Sequence, residues 1–357
     1  MLSGMPDPRT TAAAPTAPVS APAERGEATK PSWRRALGLV LRTLESRQFK
    51  LLFALAMVAL GVYAVVDQWS GFKAGLDQLG VMAAVEALAF VLLGLVFNMQ
   101  VWRSLLASAG SRLSARAASR IFFIGQLGKY MPGSVWPVLT QMELGRAYKV
   151  PRRRSATVAM LSMMIGLTSG LLATLLGLPF MAGGEVRAYW WVFLFIPVLV
   201  GCLHPRVLNP AIAYGLRLLH KPAPETPLTG RAIAVAIVIN MASWLCNGLQ
   251  IWVMTTRLGV HGGHTVLLTL GAYAFAWCVG FLIVLAPAGA GARELILIAI
   301  LSPVVPGGAP AATAIALISR GVTILGDLIG AGVAALLGRG TVTPVSAELS
   351  EASEEQP

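Results

Sequence analysis

The sequence predicts an all-α protein: a polytopic membrane helix bundle of about seven to eight spans, with two further segments that are broken. Three observations predict this fold class. Of the 357 residues, 56% are hydrophobic and only 12% are charged, whereas a soluble domain carries about 25% charged residues. The charges are confined to short stretches between long apolar runs. Several of these runs reach the roughly 20 residues that a helix needs to cross a bilayer.

Two terminal segments are predicted to lie outside the bilayer. Residues 1–31 are rich in Ala, Pro and Thr and have no periodic apolar face, which is typical of a disordered tail. Residues 32–50 combine helical apolar spacing with basic residues. They form either an amphipathic helix on an anionic membrane surface or a solvated lead-in to the first span. Residues 340–357 carry four glutamates and are expected to be a disordered acidic tail.

Seven apolar runs within the membrane domain, residues 51–339, are long enough to be spans. They are 51–69, 81–102, 155–181, 189–203, 232–255, 265–285 and 311–337. The first 50 residues carry eight Lys and Arg, and three later connections carry four, five and four, whereas the intervening loops hold one each. Because basic residues concentrate in cytoplasmic loops, both termini are predicted to be cytoplasmic.

Two further apolar segments, 121–150 and 286–304, are interrupted by Gly and Pro. Their breaks contain Pro132 and Pro287, and such residues free backbone polar groups that hydrocarbon cannot solvate. Re-entrant hairpins meet this demand, and the loop charges alternate correctly if the first enters from the cytoplasm and the second from outside. That arrangement is typical of an inverted-repeat transporter. The alternative is one kinked span and one interfacial loop.

Charged residues inside these apolar segments need a partner or a function, because a charge at the bilayer centre costs about 2.5–3.5 kcal/mol. Lys129 and Tyr130 lie at the first break, with Gln126 one turn earlier. They either meet an anionic head group beside a helix N-terminus, or Lys129 reaches back to the cytoplasmic interface. Further along, Glu143 and Arg146 are spaced to form an ion pair.

Arg293 and Glu294 follow the second break, where Gly289 and Gly291 allow unusual backbone angles. Arg293 could bind phosphate bidentately, assisted by the N–H groups of a helix that begins near Ala292. Glu294 could balance its charge or carry a proton. The alternative is an adjacent pair that only closes the hairpin.

Arg320 and Asp327 are seven residues apart in the last span, and therefore share one helix face. Arg320 with Glu294, or Asp327 with Lys129, are testable pairings, and Glu86 is a further candidate partner. A structural ion pair and a functional role stay equally open for Arg320, Asp327 and Glu86. The candidate substrate-binding residues are thus Gln126, Lys129, Tyr130, Glu143, Arg293, Glu294, Arg320 and Asp327.

Several function classes find no support. The sequence contains no Gly-x-Ser-x-Gly, no P-loop and no Asp-rich metal motif, so neither catalysis nor a cofactor is expected. Cys202, Cys246 and Cys278 are scattered and lack metal-ligand spacing. The formal net charge of +12 comes from basic residues beside apolar spans, which the positive-inside rule explains without a nucleic-acid partner.

Three blocks resemble signatures of the lysylphosphatidylglycerol synthase transmembrane family, also called flippase-like proteins. They are Gly-Gln-Leu-Gly-Lys-Tyr-Met-Pro-Gly-Ser-Val-Trp at 125–136, Pro-Ala-Gly-Ala-Gly-Ala-Arg-Glu at 287–294, and Ser319-Arg320 with Gly326-Asp327. The resemblance covers roughly 51–337 and implies about eight helices with re-entrant elements in a bacterial plasma membrane. The second block has Ala288 or Ala290 where the family usually has a glycine.

In the best-known members of that family, this region moves a cationic aminoacyl phospholipid between leaflets and precedes a soluble aminoacyltransferase domain. The sequence resembles a stand-alone member, so lipid synthesis is not implied. We expect a flippase for a phosphate-bearing lipid, with Lys129, Arg293 and Arg320 along the head-group path. Two alternatives stay open: a membrane enzyme with Glu294 or Asp327 as base, and a non-catalytic subunit that recruits partners. The expected partner is a phospholipid or other anionic-head-group lipid, and the oligomeric state stays open.

Overall fold

The computed structural model describes residues 77–131, 135–181, 194–218, 227–282, 289 and 291–337. All of them belong to one unit of the fold, Lys50–Pro357. The secondary structure of these described ranges is helical, without a β-strand. The predicted all-α class is therefore confirmed. The two predicted tails and the predicted span 51–69 lie outside the described residues.

The α-helices of the described residues follow one another along the chain. They are α1 (Val81–Ser108), α2 (Ala115–Gln126), α3 (Trp136–Arg146), α4 (Arg152–Gly177), α5 (Phe195–Leu203), α6 (Pro205–Leu218), α7 (Gly230–Arg257), α8 (Thr265–Leu282), α9 (Ala292–Leu301) and α10 (Gly308–Leu337). Short 3-10 turns occupy Leu127–Tyr130 and Leu178–Phe180.

Five helices are long and apolar enough to cross a membrane: α1, α4 with its 3-10 extension, α7, α8 and α10. They correspond to five of the seven predicted spans, which are confirmed. The chain is therefore a multi-pass membrane protein. The predicted span 189–203 is described only in part, as the nine residues of α5.

The long helices pack into one bundle, in which α7 contacts α1 and α8, and α8 contacts α4. Helix α7 begins at a Thr229 side chain that accepts a hydrogen bond from the Ala232 N–H at 3.2 Å, a regular N-cap. Gly248 lets α7 approach α8 closely, because a Cβ there would lie 2.6 Å from the Leu270 Cα. Such small-residue contacts are typical of helix packing in lipid.

The two segments predicted to be broken consist of short helices. In the first, α2 has 12 residues and α3 has 11, and the two pack against each other. In the second, α9 has 10 residues and packs against α8. At 1.5 Å per residue these helices are about 15–18 Å long, roughly half the thickness of the hydrocarbon core. None of the three can span alone.

Candidate functional site

Helix α10 carries two buried charged residues on either side of its midpoint. Arg320 and Asp327 are 6% and 2% exposed. The helix has 30 residues, so its length is about 45 Å, with Arg320 about 18 Å and Asp327 about 28 Å from its start. The predicted burial of both residues on one helix is confirmed. Each charge needs a partner at this depth.

Asp327 binds the 3-10 turn of the first broken segment. Its Oδ2 lies 2.7 Å from the Lys129 Nζ and accepts a hydrogen bond from the Tyr130 hydroxyl at 2.5 Å. The same ammonium lies 5.5 Å from the centre of the Tyr130 ring. The predicted pairing of Lys129 with Asp327 is confirmed. The carboxylate therefore holds two consecutive side chains of the turn.

Arg320 pairs with the start of α9. Its Nη1 lies 3.6 Å from the Glu294 Oε1, so the predicted pairing of Arg320 with Glu294 is confirmed. The other oxygen, Oε2, accepts a hydrogen bond from the Gly291 N–H at 2.7 Å. Gly289 and Gly291 have φ of 69° and 85°, backbone angles that favour glycine. Glu294 therefore caps α9 and also binds α10.

Arg293 contacts an aromatic ring and no carboxylate among the described residues. Its guanidinium carbon lies 4.5 Å from the centre of the Tyr273 ring, a cation–π geometry. The residue is only 7% exposed, and Nη2 has no hydrogen-bond partner within the described part of the chain. A buried, charged donor without a partner is costly. Arg293 is therefore the cation here that most needs an anionic ligand.

The side chains of Lys129, Tyr130, Tyr273, Arg293 and Arg320 help to line a cavity of about 240 Å³. Its polar lining consists mainly of three cations and five carboxamides, namely Lys129, Arg293, Arg320, Asn98, Gln126, Gln141, Asn240 and Asn247. Its aromatic lining includes Trp102, Phe122, Tyr130, Trp244, Tyr273, Trp277 and Phe281. No Asp or Glu is among the described residues that line it. Lys129 and Arg320 are each paired with a carboxylate behind the lining, so the positive charge left at the cavity is that of Arg293, beside an aromatic wall.

The family model described as "Lysylphosphatidylglycerol synthase TM region" matches residues 48–330, most of the 357-residue chain. The chain belongs to this family. A comparison with curated proteins finds no match. The matched region contains the described cavity lining. The resemblance found in the sequence blocks is confirmed.

In this family member, five of the eight candidate site residues line the cavity: Gln126, Lys129, Tyr130, Arg293 and Arg320. Glu294 and Asp327 lie behind that lining and bind residues in it. The eighth candidate, Glu143, is elsewhere.

Glu143 binds Arg152 at 2.9 Å and Arg146 at 3.7 Å, at the contact between α3 and α4. Gln141, two residues earlier, lines the cavity. Two residues correspond to about 200° around a helix, so the two side chains cannot share a face. Glu86, another potential partner of the buried charges, instead pairs with Arg257 at 2.7 Å. Both side chains are well exposed.

Apart from Gln126 and Tyr130, the carboxamides and aromatic rings of the cavity had no role assigned from the sequence. A spacing signal was present. Asn240 and Asn247 are seven residues apart, and Tyr273, Trp277 and Phe281 are four apart, so each set shares a helix face. The candidate residues identified from the sequence were mostly charged, because charges carry the largest insertion cost.

Proposed function

We propose that this protein moves a lipid with an anionic, phosphate-bearing head group between the leaflets of a bacterial plasma membrane. One observation carries the proposal: the buried Arg293 at the cavity has no carboxylate partner among the described residues, whereas Lys129 and Arg320 are paired with Asp327 and Glu294. In a low-dielectric interior, an uncompensated guanidinium favours an anion. A cationic head group would meet repulsion from the same side chain.

The short helices support a path across the bilayer. We propose that α2–α3 and the segment of α9 are re-entrant, the first entering from the cytoplasm and the second from outside, with both chain termini cytoplasmic. Lys129 of one hairpin and Arg293 of the other then approach the middle of α10. Half-helices that meet near the midplane are the usual substrate site of inverted-repeat transporters.

Arg293 is the proposed primary contact of the phosphate. A guanidinium can donate two parallel hydrogen bonds to a phosphate, a stronger and more specific contact than an ammonium makes. Its Nη2 already lacks a partner within the described residues. Lys129 is 27% exposed at its side chain and is held by Asp327. Because Asp327 neutralises part of the Lys129 charge, Lys129 attracts the phosphate more weakly than Arg293 does.

The proposal is tested by head-group translocation in liposomes that contain purified protein. The probe is phosphatidylglycerol with a fluorophore on one acyl chain, and an impermeant reductant bleaches the outer leaflet. Arg293→Ala should reduce the rate at least tenfold, and Arg293→Lys should restore only part of it. Arg257→Ala is the control, because it also removes an arginine, but one that lies outside the cavity lining and pairs with Glu86.

An unchanged rate in Arg293→Ala, with a folded protein by size-exclusion chromatography, contradicts the proposal. So does an equal loss in Arg257→Ala. Release of a new lipid species by the wild-type protein would instead favour the enzyme alternative.

A further inference from the structure

Five carboxamide side chains line the cavity: Asn98, Gln126, Gln141, Asn240 and Asn247. They come from four different helices, α1, α2, α3 and α7, yet meet at one cavity. A polar side chain inside a membrane span is costly unless it has a partner. Cations alone suffice to bind a phosphate, so phosphate binding does not explain why five carboxamides meet here.

The chemistry of an amide differs from that of a cation. Each carboxamide offers both donors and an acceptor, whereas lysine and arginine only donate. A phosphate only accepts, so the acceptor oxygens of the amides are of no use to it. Gln141 illustrates this, because its Oε1 is buried without a partner among the described residues. A ligand that both donates and accepts, as a hydroxyl does, satisfies amides fully.

Two of the amides are free to bind a ligand. Asn98 and Gln126 are half-buried and make no side-chain hydrogen bond with another described residue. Asn240 and Asn247 each use their nitrogen within the protein, on the Ser169 hydroxyl at 2.6 Å and the Ser243 carbonyl at 2.8 Å. These two internal bonds fix the amide orientations, as a preformed site requires.

An aromatic wall lies beside these amides. The Trp277 and Phe281 rings are stacked at 5.0 Å and 8°, and Trp244 meets Trp277 edge-on at 5.2 Å. Aromatic faces carry negative charge density, which attracts the slightly positive C–H bonds on the face of a sugar ring. Ring stacking together with hydrogen bonds from amides is how proteins commonly bind carbohydrates.

From these observations we infer that the head group is a polyhydroxylated ring joined to the lipid through phosphate. The inference rests on the proposed function and specifies its substrate. The cations bind the phosphate, the amides bind the ring hydroxyls and the aromatic wall binds the ring face. The cavity volume of about 240 Å³ is somewhat below the roughly 300 Å³ of ordinary small-molecule sites. That volume accommodates a single sugar ring.

Two lipid sources share this chemistry, a polyprenyl phosphohexose and phosphatidylinositol, and the experiment includes both. Each is given the same fluorophore on its hydrocarbon chain, and phosphatidic acid with that fluorophore is the reference that has phosphate but no ring. The translocation rate of each lipid is measured in liposomes containing the full-length protein. The readout is the ratio of the ring-lipid rate to the phosphatidic acid rate.

The wild-type ratio should exceed one by at least tenfold for one or both ring lipids, and the lipid that moves identifies the source. Asn98→Ala and Gln126→Ala should each lower the ratio about fivefold, the usual effect of one lost hydrogen bond. Gln100→Ala is the control, because Gln100 lies on α1 near Asn98 but outside the cavity lining. It should leave the ratio unchanged.

A failure of the head-group inference can be distinguished from a failure of the proposed function. If all three lipids move equally fast and Arg293→Ala stops all of them, the inference is overturned and the proposed function stands. If Arg293→Ala changes none of the rates, the proposed function is overturned as well. If Gln100→Ala lowers the ratio as much as the two cavity variants do, the amides act on folding and the inference is overturned.

Discussion

The Lys129 ammonium lies 2.7 Å from the Asp327 carboxylate, which also accepts a hydrogen bond from the Tyr130 hydroxyl at 2.5 Å. One acidic side chain of α10 thus holds the turn between α2 and α3. Seven residues earlier on α10, Arg320 holds Glu294 at the start of α9. Both broken segments are therefore bound to the same helix through oppositely charged residues.

The Lys129–Asp327 pair should show strong coupling in a double-mutant cycle. Lys129→Ala leaves a carboxylate whose side chain is 1% exposed, and Asp327→Ala leaves Lys129 and Tyr130 without their shared acceptor. Each single variant should lower the free energy of unfolding. The double variant should cost less than the sum, with a coupling of about 1–3 kcal/mol.

The measurement is unfolding by titration with dodecyl sulfate in mixed micelles. Strict additivity of the two substitutions would contradict the pairing. Tyr130→Phe supplies an independent check, since it removes one hydrogen bond to Asp327 and should cost about 1 kcal/mol.

Two substitutions at Glu294 should separate its capping of α9 from its ion pair with Arg320. Glu294→Gln keeps an oxygen that can accept from the Gly291 N–H but removes the charge that faces Arg320. Glu294→Ala removes both. The Ala variant should therefore be less stable than the Gln variant by about 1 kcal/mol, the usual value of an N-cap.

The same unfolding titration measures this difference, and equal stabilities would contradict the capping role. Glu294→Gln also tests the enzyme alternative. If Glu294 were a catalytic base, this variant would lose turnover on a lipid-linked substrate while it kept its fold.

The approach of α7 to α8 should depend on Gly248. A Cβ at this position would lie 2.6 Å from the Leu270 Cα, where the backbone cannot yield easily. Gly248→Ala should therefore cost about 1–3 kcal/mol. Gly332→Ala on α10 is the matched control, because a Cβ there meets nothing within 4 Å, and it should be neutral or slightly stabilising. Equal thermal unfolding midpoints of the two variants would contradict the packing.

Glu143 should matter little for transport. It pairs with Arg152 and Arg146 outside the cavity lining. Glu143→Gln should change the translocation rate of phosphatidylglycerol by less than twofold. A tenfold loss with normal folding would return Glu143 to the head-group path.

The sequence alone predicted most of what hydropathy and charge control. Five long helices agree with predicted spans because lipid imposes length and apolarity directly. The two pairings of Arg320 and Asp327 were predictable because a buried charge requires a partner. Of the carboxamide cluster only Gln126 was assigned, since the cluster depends on which faces of α1, α2, α3 and α7 converge. Side-chain direction also could not be read from the sequence. Glu143 lies on the opposite face of α3 from Gln141 and therefore outside the cavity lining.

The sign of the charge on the head group that the protein translocates tests the central claim most directly. Wild-type protein in liposomes is given phosphatidylglycerol or its lysyl ester, each with the same fluorophore on an acyl chain. The two lipids differ in the charge of the head group. The uncompensated charge of Arg293 at the cavity predicts that anionic phosphatidylglycerol moves at least tenfold faster. Faster movement of the cationic lysyl ester would contradict the account.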